Sequence, residues 1–208
     1  MRASAIMTVA EGPEAVPHEP RGEVRFLAAD GRVRLRGAVE AAGWLLVHTD
    51  PPGPGAGGLL DKIVEEEIEQ AARYVEGHPS ITELLFTGGD LFTLSDARLE
   101  AMIEAFRSRR PDLIIRLCTR APAAEPRRIT PALISMIKTF DTAPFFLMTQ
   151  FNHGRELTKE ALRATALFID NGIPAMNQTV LLKRVNDDAD TLERLCNALL
   201  ANRIKPYY

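Results

Sequence analysis

Polar and flexible residues follow several apolar, β-type segments of this 208-residue sequence. Side chains that end neighbouring parallel strands meet at one edge of a sheet, and ligands of α/β proteins bind there. The candidate positions are Gly88, Gly89 and Asp90 after TELLF, Thr119 and Arg120 after LIIRLC, His153 after FFLMT, and Asn177 and Gln178 within IPAMNQTVLL.

Gly88, Gly89 and Asp90 could bind the headgroup of an amino acid. Two glycines allow a ligand to approach the backbone, whose amides can bind a carboxylate, while the Asp90 carboxylate accepts from an ammonium group. The alternative is an ordinary strand-to-helix turn with Asp90 near a helix start.

The remaining candidates also have two interpretations each. His153 is either a loop residue at a helix start or a ligand contact. The amides of Asn177 and Gln178 interrupt an apolar strand and must hydrogen-bond either to a ligand or to a neighbouring loop. Arg120 could bind a carboxylate, or it could form a surface ion pair with Glu125.

An alternation of strands and helices positions these residues. Candidate strands begin near residues 82, 113, 145, 173 and 204, and an interval of 28 to 32 residues predicts one strand–helix unit per step. Ser95 is predicted to begin a helix, and Thr130 and Thr158 are predicted helix N-caps. Upstream, VRFLAADGRVRLR predicts a β-hairpin, and WLLVH predicts a sixth parallel strand.

Composition limits the classes of partner and site that this protein can have. A net charge of -3 and a pI near 5.9 disfavour nucleic acid and anionic membranes as partners. No apolar run approaches the roughly 20 residues of a membrane helix, and the N-terminus is a poor signal peptide. Cys118 and Cys196 lack CxxC spacing, so neither a disulfide framework nor a zinc site is indicated. We predict a cytoplasmic protein with a small-molecule ligand, and a homo-oligomer is compatible with the sequence.

Several motifs together resemble the lysine 2,3-aminomutase family of radical S-adenosylmethionine (radical SAM) enzymes. The resemblance covers residues 59 to 208, in order. The motifs are TELLFTGGDLFTLSDARLE, LIIRLCTRAP with RRITPALISMIK, TQFNHGRELTKEA, NGIPAMNQTVLLKRVNDD and RIKPYY.

The resemblance implies that the α/β fold is of the partial (β/α)6 barrel type. Together with the upstream segments interpreted from the residues, the expected domains are 1–22 (disordered), 23–43 (accessory hairpin) and 44–208 (barrel). It implies that S-adenosylmethionine places its methionine amino group at Gly88, Gly89 and Asp90. It also implies contacts of His153 and Gln178 with the same ligand, with Thr119, Arg120 and Asn177 on the same rim. In the family, a 4Fe-4S cluster and pyridoxal phosphate complete an isomerase that moves an amino group on an amino acid.

The sequence departs from the family in two places. The cluster loop, CxxxCxxC in the family, should follow WLLVHTD, but residues 51–58 read PPGPGAGG, and a cluster requires thiolate ligands. The pyridoxal phosphate lysine, which the family places further downstream, has no counterpart. We therefore expect a truncated member that is inactive as it stands, with no catalytic or metal residues. The alternatives are a non-catalytic module for S-adenosylmethionine binding or subunit pairing, and a metal-free reaction with His153 or Asp90 as base.

Overall fold

The computed structural model describes residues 5–11, 22–27, 33–40, 44–49, 68–79, 81–88 and 90–207. The chain forms two compact units, Met1–Ile115 and Arg116–Tyr208. Strands alternate with helices from residue 68 onward, which confirms the α/β class predicted from the sequence. Within the described part of the chain, no helix is both long and apolar enough to cross a bilayer.

The first unit contains an antiparallel sheet. Its strands neighbour each other in the order β2-β3-β4-β1-β5, and all four pairings are antiparallel. The strands are β1 (Ala5–Glu11), β2 (Gly22–Leu27), β3 (Val33–Glu40), β4 (Trp44–Thr49) and β5 (Ile81–Gly88).

The orientation of β4 corrects a prediction. The apolar pattern of WLLVH predicts a sixth parallel strand, but β4 pairs antiparallel with both β3 and β1. Only residues 41–43 separate β3 from β4, and a parallel neighbour would need a crossover of a dozen residues or more. Likewise, β1 lies in the segment that the sequence predicts as a disordered lead-in. The turn of the predicted hairpin, residues 28–32, lies outside the described residues.

Among the described residues, two α-helices accompany this sheet in the first unit. Helix α1 is described over residues 68–76 and is followed by Gly77. Helix α2 (Asp96–Arg107) begins where predicted, because the Ser95 hydroxyl caps it by accepting from the Arg98 N–H at 3.3 Å. Its apolar stripe is buried, and the Phe106 ring lies 5.7 Å from the Phe86 ring of β5, measured between centroids.

The second unit is built on parallel strands. In sheet order they are β6 (Ile114–Thr119, which begins at the end of the first unit), β7 (Phe145–Thr149), β8 (Ala175–Asn177) and β9 (Ile204–Pro206). The pairings β7/β8 and β8/β9 are parallel. The connecting helices are α3 (Ala121–Ala124), α4 (Pro131–Lys138), α5 (Lys159–Asp170) and α6 (Ala189–Ala201).

Helix boundaries in this unit follow local sequence signals. Thr130, followed by Pro131, caps α4, and Thr158 caps α5, each by accepting from the N–H three residues on. Helix α5 ends at Asn171, and Gly172 follows with φ of 81°, which glycine adopts without strain. These three predictions are confirmed.

The core of the second unit lies between the sheet and its helices. Its fully buried side chains include Leu117, Leu147, Phe168, Leu195 and Ile204. Two expectations need correction. The predicted long strand from Ile173 is a strand only over Ala175–Asn177. Beyond it, the N–H groups of Val180 and Leu182 donate to the side chains of Asn152 and Asn186. Cys196 lies on the apolar side of the α6 sequence with Leu192, Leu195 and Leu199, which predicts a core residue, but it is only partly buried.

Candidate functional site

In the first unit, the end of β5 leads into a capped turn. The Asp90 carboxylate accepts from the Phe92 N–H at 3.0 Å, and the Thr93 hydroxyl donates to the Asp90 carbonyl at 2.7 Å. Asp90 thereby caps a 3-10 turn, Leu91–Thr93, which is the geometry of the strand-to-helix alternative. Gly88 ends the strand, and Gly89 lies outside the described residues. A ligand role for Gly88, Gly89 and Asp90 stays a prediction.

In the second unit, Thr119 ends β6 and Arg120 follows it. The Thr119 hydroxyl is buried and accepts from the Ala121 N–H at 2.9 Å, which turns the chain into α3. The Arg120 guanidinium pairs with the Glu156 carboxylate at 3.3 Å, on an exposed surface. The surface ion pair therefore exists, but with Glu156 rather than with Glu125.

His153 lies in the loop after β7, and one of its two ring nitrogens accepts a hydrogen bond. Its Nδ1 accepts from the Arg155 N–H at 3.0 Å and caps the 3-10 turn Gly154–Glu156. In the neutral ring the proton therefore lies on Nε2, which is a donor. Nε2 makes no hydrogen bond to any residue that the structure describes. Because His153 is half-buried with Nε2 as a donor, it can bind an acceptor on a ligand.

Asn177 and Gln178 lie at the end of β8, beside the loop after β7. The Asn177 amide oxygen accepts from the Phe151 N–H at 2.7 Å, and its nitrogen donates to the Phe151 carbonyl at 2.9 Å and to the Thr179 hydroxyl at 2.7 Å. The Gln178 N–H donates to the Thr149 carbonyl at 2.9 Å. The structure thus brings the loop of His153 next to the segment of Gln178, and Asn177 makes the neighbouring-loop contact that the sequence left as one of two alternatives.

Two further asparagines in this region are not among the predicted site residues. Asn152 and Asn186 are buried and hydrogen-bond to the same two segments. In the sequence each is one polar residue of a loop, and loop asparagines are usually exposed. Asn152 bonds Val180, 28 residues away, and Asn186 bonds Asn152, 34 residues away. No local pattern in the sequence identifies these two pairs.

The thiols do not fit an iron–sulfur cluster. Cys118 is buried in β6, and Cys196 lies on the face of α6. In the part of the chain that the structure describes, no group of three or more His, Cys, Asp or Glu residues could hold a metal ion. A cluster of this kind needs three protein thiolates, and the sequence has two cysteines.

Comparison with known proteins identifies L-lysine 2,3-aminomutases among the relatives of this chain. No protein-family model matches the chain. The chain is 39% identical over 153 residues to the L-lysine 2,3-aminomutase of Fusobacterium nucleatum, a match of 74% of this chain and 36% of that protein. It is 40% identical over 152 residues to the L-lysine 2,3-aminomutase of Acetoanaerobium sticklandii (73% and 36%) and 33% identical over 146 residues to that of Bacillus subtilis (70% and 31%). The chain therefore spans about a third of the length of the curated relatives it matches.

Proposed function

The chain belongs to the lysine 2,3-aminomutase family, and from that premise we propose that it binds S-adenosylmethionine without cleaving it. Within the family this ligand is the source of the radical that starts amino-group migration on an amino acid. We also propose that the α/β fold of this chain is the partial (β/α)6 barrel of the family. The match with aminomutases supports the ligand class.

The observation that carries the proposal is the Nε2 donor of His153, to which no described residue hydrogen-bonds. Its Nδ1 is held by the Arg155 N–H, so the ring is oriented and Nε2 is left to donate. A nucleoside offers acceptors at the ribose hydroxyls and the adenine ring nitrogens. Gln178 follows the fixed backbone of β8 and is proposed to contact the same ligand.

The other site residues are assigned through the family alone. For Gly88, Gly89 and Asp90, reception of the methionine amino group stays a prediction from the sequence. In the second unit, Thr119 and Arg120 are proposed as rim residues. Because the thiols do not fit an iron–sulfur cluster, reductive cleavage forms no part of the proposed function.

Isothermal titration calorimetry with S-adenosylmethionine tests the proposal. We expect saturable binding by the purified chain and an affinity about threefold to tenfold weaker in His153→Ala, the effect of one hydrogen bond. His78→Ala is the matched control, because the His78 ring binds the Tyr74 carbonyl of its own helix end. Absence of binding by the folded chain would refute the proposal, and so would equal affinities of His153→Ala and the unaltered chain.

Exposed apolar side chains favour subunit pairing as a second candidate function. In the segment after β8, Leu181 is 69% exposed, and Val180 and Val185 are both 45% exposed. Apolar side chains that are exposed close together in one segment are typical of protein contact sites. If two copies of the chain pair through this segment, sedimentation velocity will show a dimer that Leu181→Gln dissociates at the same protein concentration. A monomer at all concentrations, or a dimer unaffected by Leu181→Gln, would exclude this candidate.

A further inference from the structure

We propose that three buried asparagines, Asn152, Asn177 and Asn186, act as positioning residues that hold the loops of His153 and Gln178 in their ligand-binding arrangement. We call them the asparagine network. The inference rests on the proposed function, because it assigns these two loops to the S-adenosylmethionine site.

Asn177 makes the first link between the two loops. It lies at the end of β8, and its amide forms a reciprocal pair with both backbone groups of Phe151, 26 residues earlier. An amide side chain in this position replaces the peptide group that a longer strand would supply. The pairing of β7 with β8 is thereby extended beyond the last strand residues, up to the residue before Asn152.

Asn152 makes the second link in the opposite direction. Its side-chain oxygen accepts from the Val180 N–H at 2.9 Å. Its own N–H donates to the Glu156 carboxylate at 3.3 Å. The residue before His153 is thus bonded both to the segment that follows Gln178 and to the turn that follows His153.

Asn186 joins both segments from a third position. Its amide nitrogen donates to the Asn152 carbonyl at 2.7 Å and to the Val180 carbonyl at 2.9 Å. Its oxygen accepts from the Leu182 N–H at 2.6 Å. One side chain therefore bonds three backbone groups of two loops.

Burial makes these hydrogen bonds decisive for the loop conformation. Asn177 and Asn186 are 0% exposed and Asn152 is 3% exposed. A buried backbone group that loses its partner is costly, since water cannot replace the bond. The loops are therefore restricted to conformations that keep the network intact. His153 directly follows Asn152, and Gln178 lies between Asn177 and Thr179, so the network sets the positions of both.

The test uses an isosteric substitution, Asn186→Asp. It keeps the shape and the acceptor oxygen of Asn186 but removes both bonds donated to the carbonyls of Asn152 and Val180. Asn202→Asp is the matched control, because it removes an amide bond to a backbone carbonyl, that of Ala198 at the end of α6. If Asn186→Asp does not fold, Asn152→Ala takes its place, since it removes only the bond to the Val180 N–H.

Two measurements are made on each folded variant. The first is the NMR spectrum of the His153 ring nitrogens and the Gln178 amide, with the His153 signals assigned by His153→Gln. The second is the calorimetric affinity for S-adenosylmethionine. We expect Asn186→Asp to shift the His153 and Gln178 signals and to lower the affinity about tenfold, while Asn202→Asp changes neither.

The outcomes separate this inference from the proposed function. Unshifted His153 and Gln178 signals in folded Asn186→Asp, or in folded Asn152→Ala where that variant replaces it, would overturn the positioning role. Shifted signals with unchanged affinity would overturn its connection to ligand binding. If the unaltered chain binds no S-adenosylmethionine, the proposed function fails, and shifted signals would then support the positioning of the loops alone.

Discussion

Asn177→Ala is expected to lower the free energy of unfolding by about 2–5 kcal/mol. The substitution leaves the N–H and the carbonyl of Phe151 without the amide that pairs with them in the native structure. It also removes the bond to the Thr179 hydroxyl. These groups are buried or partly buried, so solvent does not restore the lost bonds. Equilibrium unfolding in urea measures the change.

Asn202→Ala is the control for the loss of an asparagine amide. Asn202 donates one hydrogen bond, to the Ala198 carbonyl at 2.8 Å, and it is only partly buried. We expect a loss of about 1 kcal/mol or less. If the two variants lose the same stability, the buried contact of Asn177 does not stabilise the fold in the way inferred from its geometry.

Arg110→Met should destabilise the protein by about 2–4 kcal/mol. The guanidinium donates to three carbonyls between α1 and β5: Val75 at 3.2 Å, His78 at 3.4 Å and Ile81 at 2.8 Å. Its side chain is only 12% exposed. Methionine fills a similar volume but donates no hydrogen bond, so the end of α1 and the start of β5 lose their shared donor. Urea unfolding measures the loss.

Arg203→Met is the matched control for Arg110→Met. Arg203 forms an ion pair with Asp170 at 2.7 Å, but both side chains are more than half exposed. An exposed pair contributes about 0–1 kcal/mol. Comparable losses for the two variants would show that the three carbonyls do not depend on Arg110.

The same arginine makes stability depend on pH. A hydrogen bond from Arg110 is the main cause that lowers the pKa of Asp112 below its ordinary value of 3.8. A carboxyl whose pKa is lowered by folding stabilises the native state above its ordinary pKa, and this contribution is lost as the pH falls through the lowered value. Asp112 is largely exposed, so the contribution is small. In Arg110→Met the acid limb of the stability profile should therefore be slightly flatter.

Much of the local structure could be predicted from residue types. Ser95, Thr130 and Thr158 cap helices because their hydroxyls accept from an N–H three residues on. Similar local reasoning predicted the strands that became β5, β6, β7 and β9. The site residues were selected as strand ends, and the structure places most of them there, with Thr119 ending β6, Asn177 ending β8 and His153 in the loop after β7.

The partners of those residues could not be predicted in the same way. Arg120 pairs with Glu156, 36 residues away, although Glu125 is closer in sequence. The direction of β4 depends on the short connection to β3 and on its pairing with β1, which the apolar pattern of WLLVH does not encode.

The sequence by itself determined the family, the α/β class and the helix caps, because each depends on residues that are close in the chain or on motifs in a conserved order. Only the tertiary structure decided what the polar strand ends contact. Asn152 and Asn186 resemble ordinary loop asparagines in the sequence, and Asn177 interrupts an apolar strand. Each of the three bonds a backbone group that lies 26 to 34 residues away. Folding brings these segments together and removes water from them, and burial then makes each amide bond essential to the loop conformation.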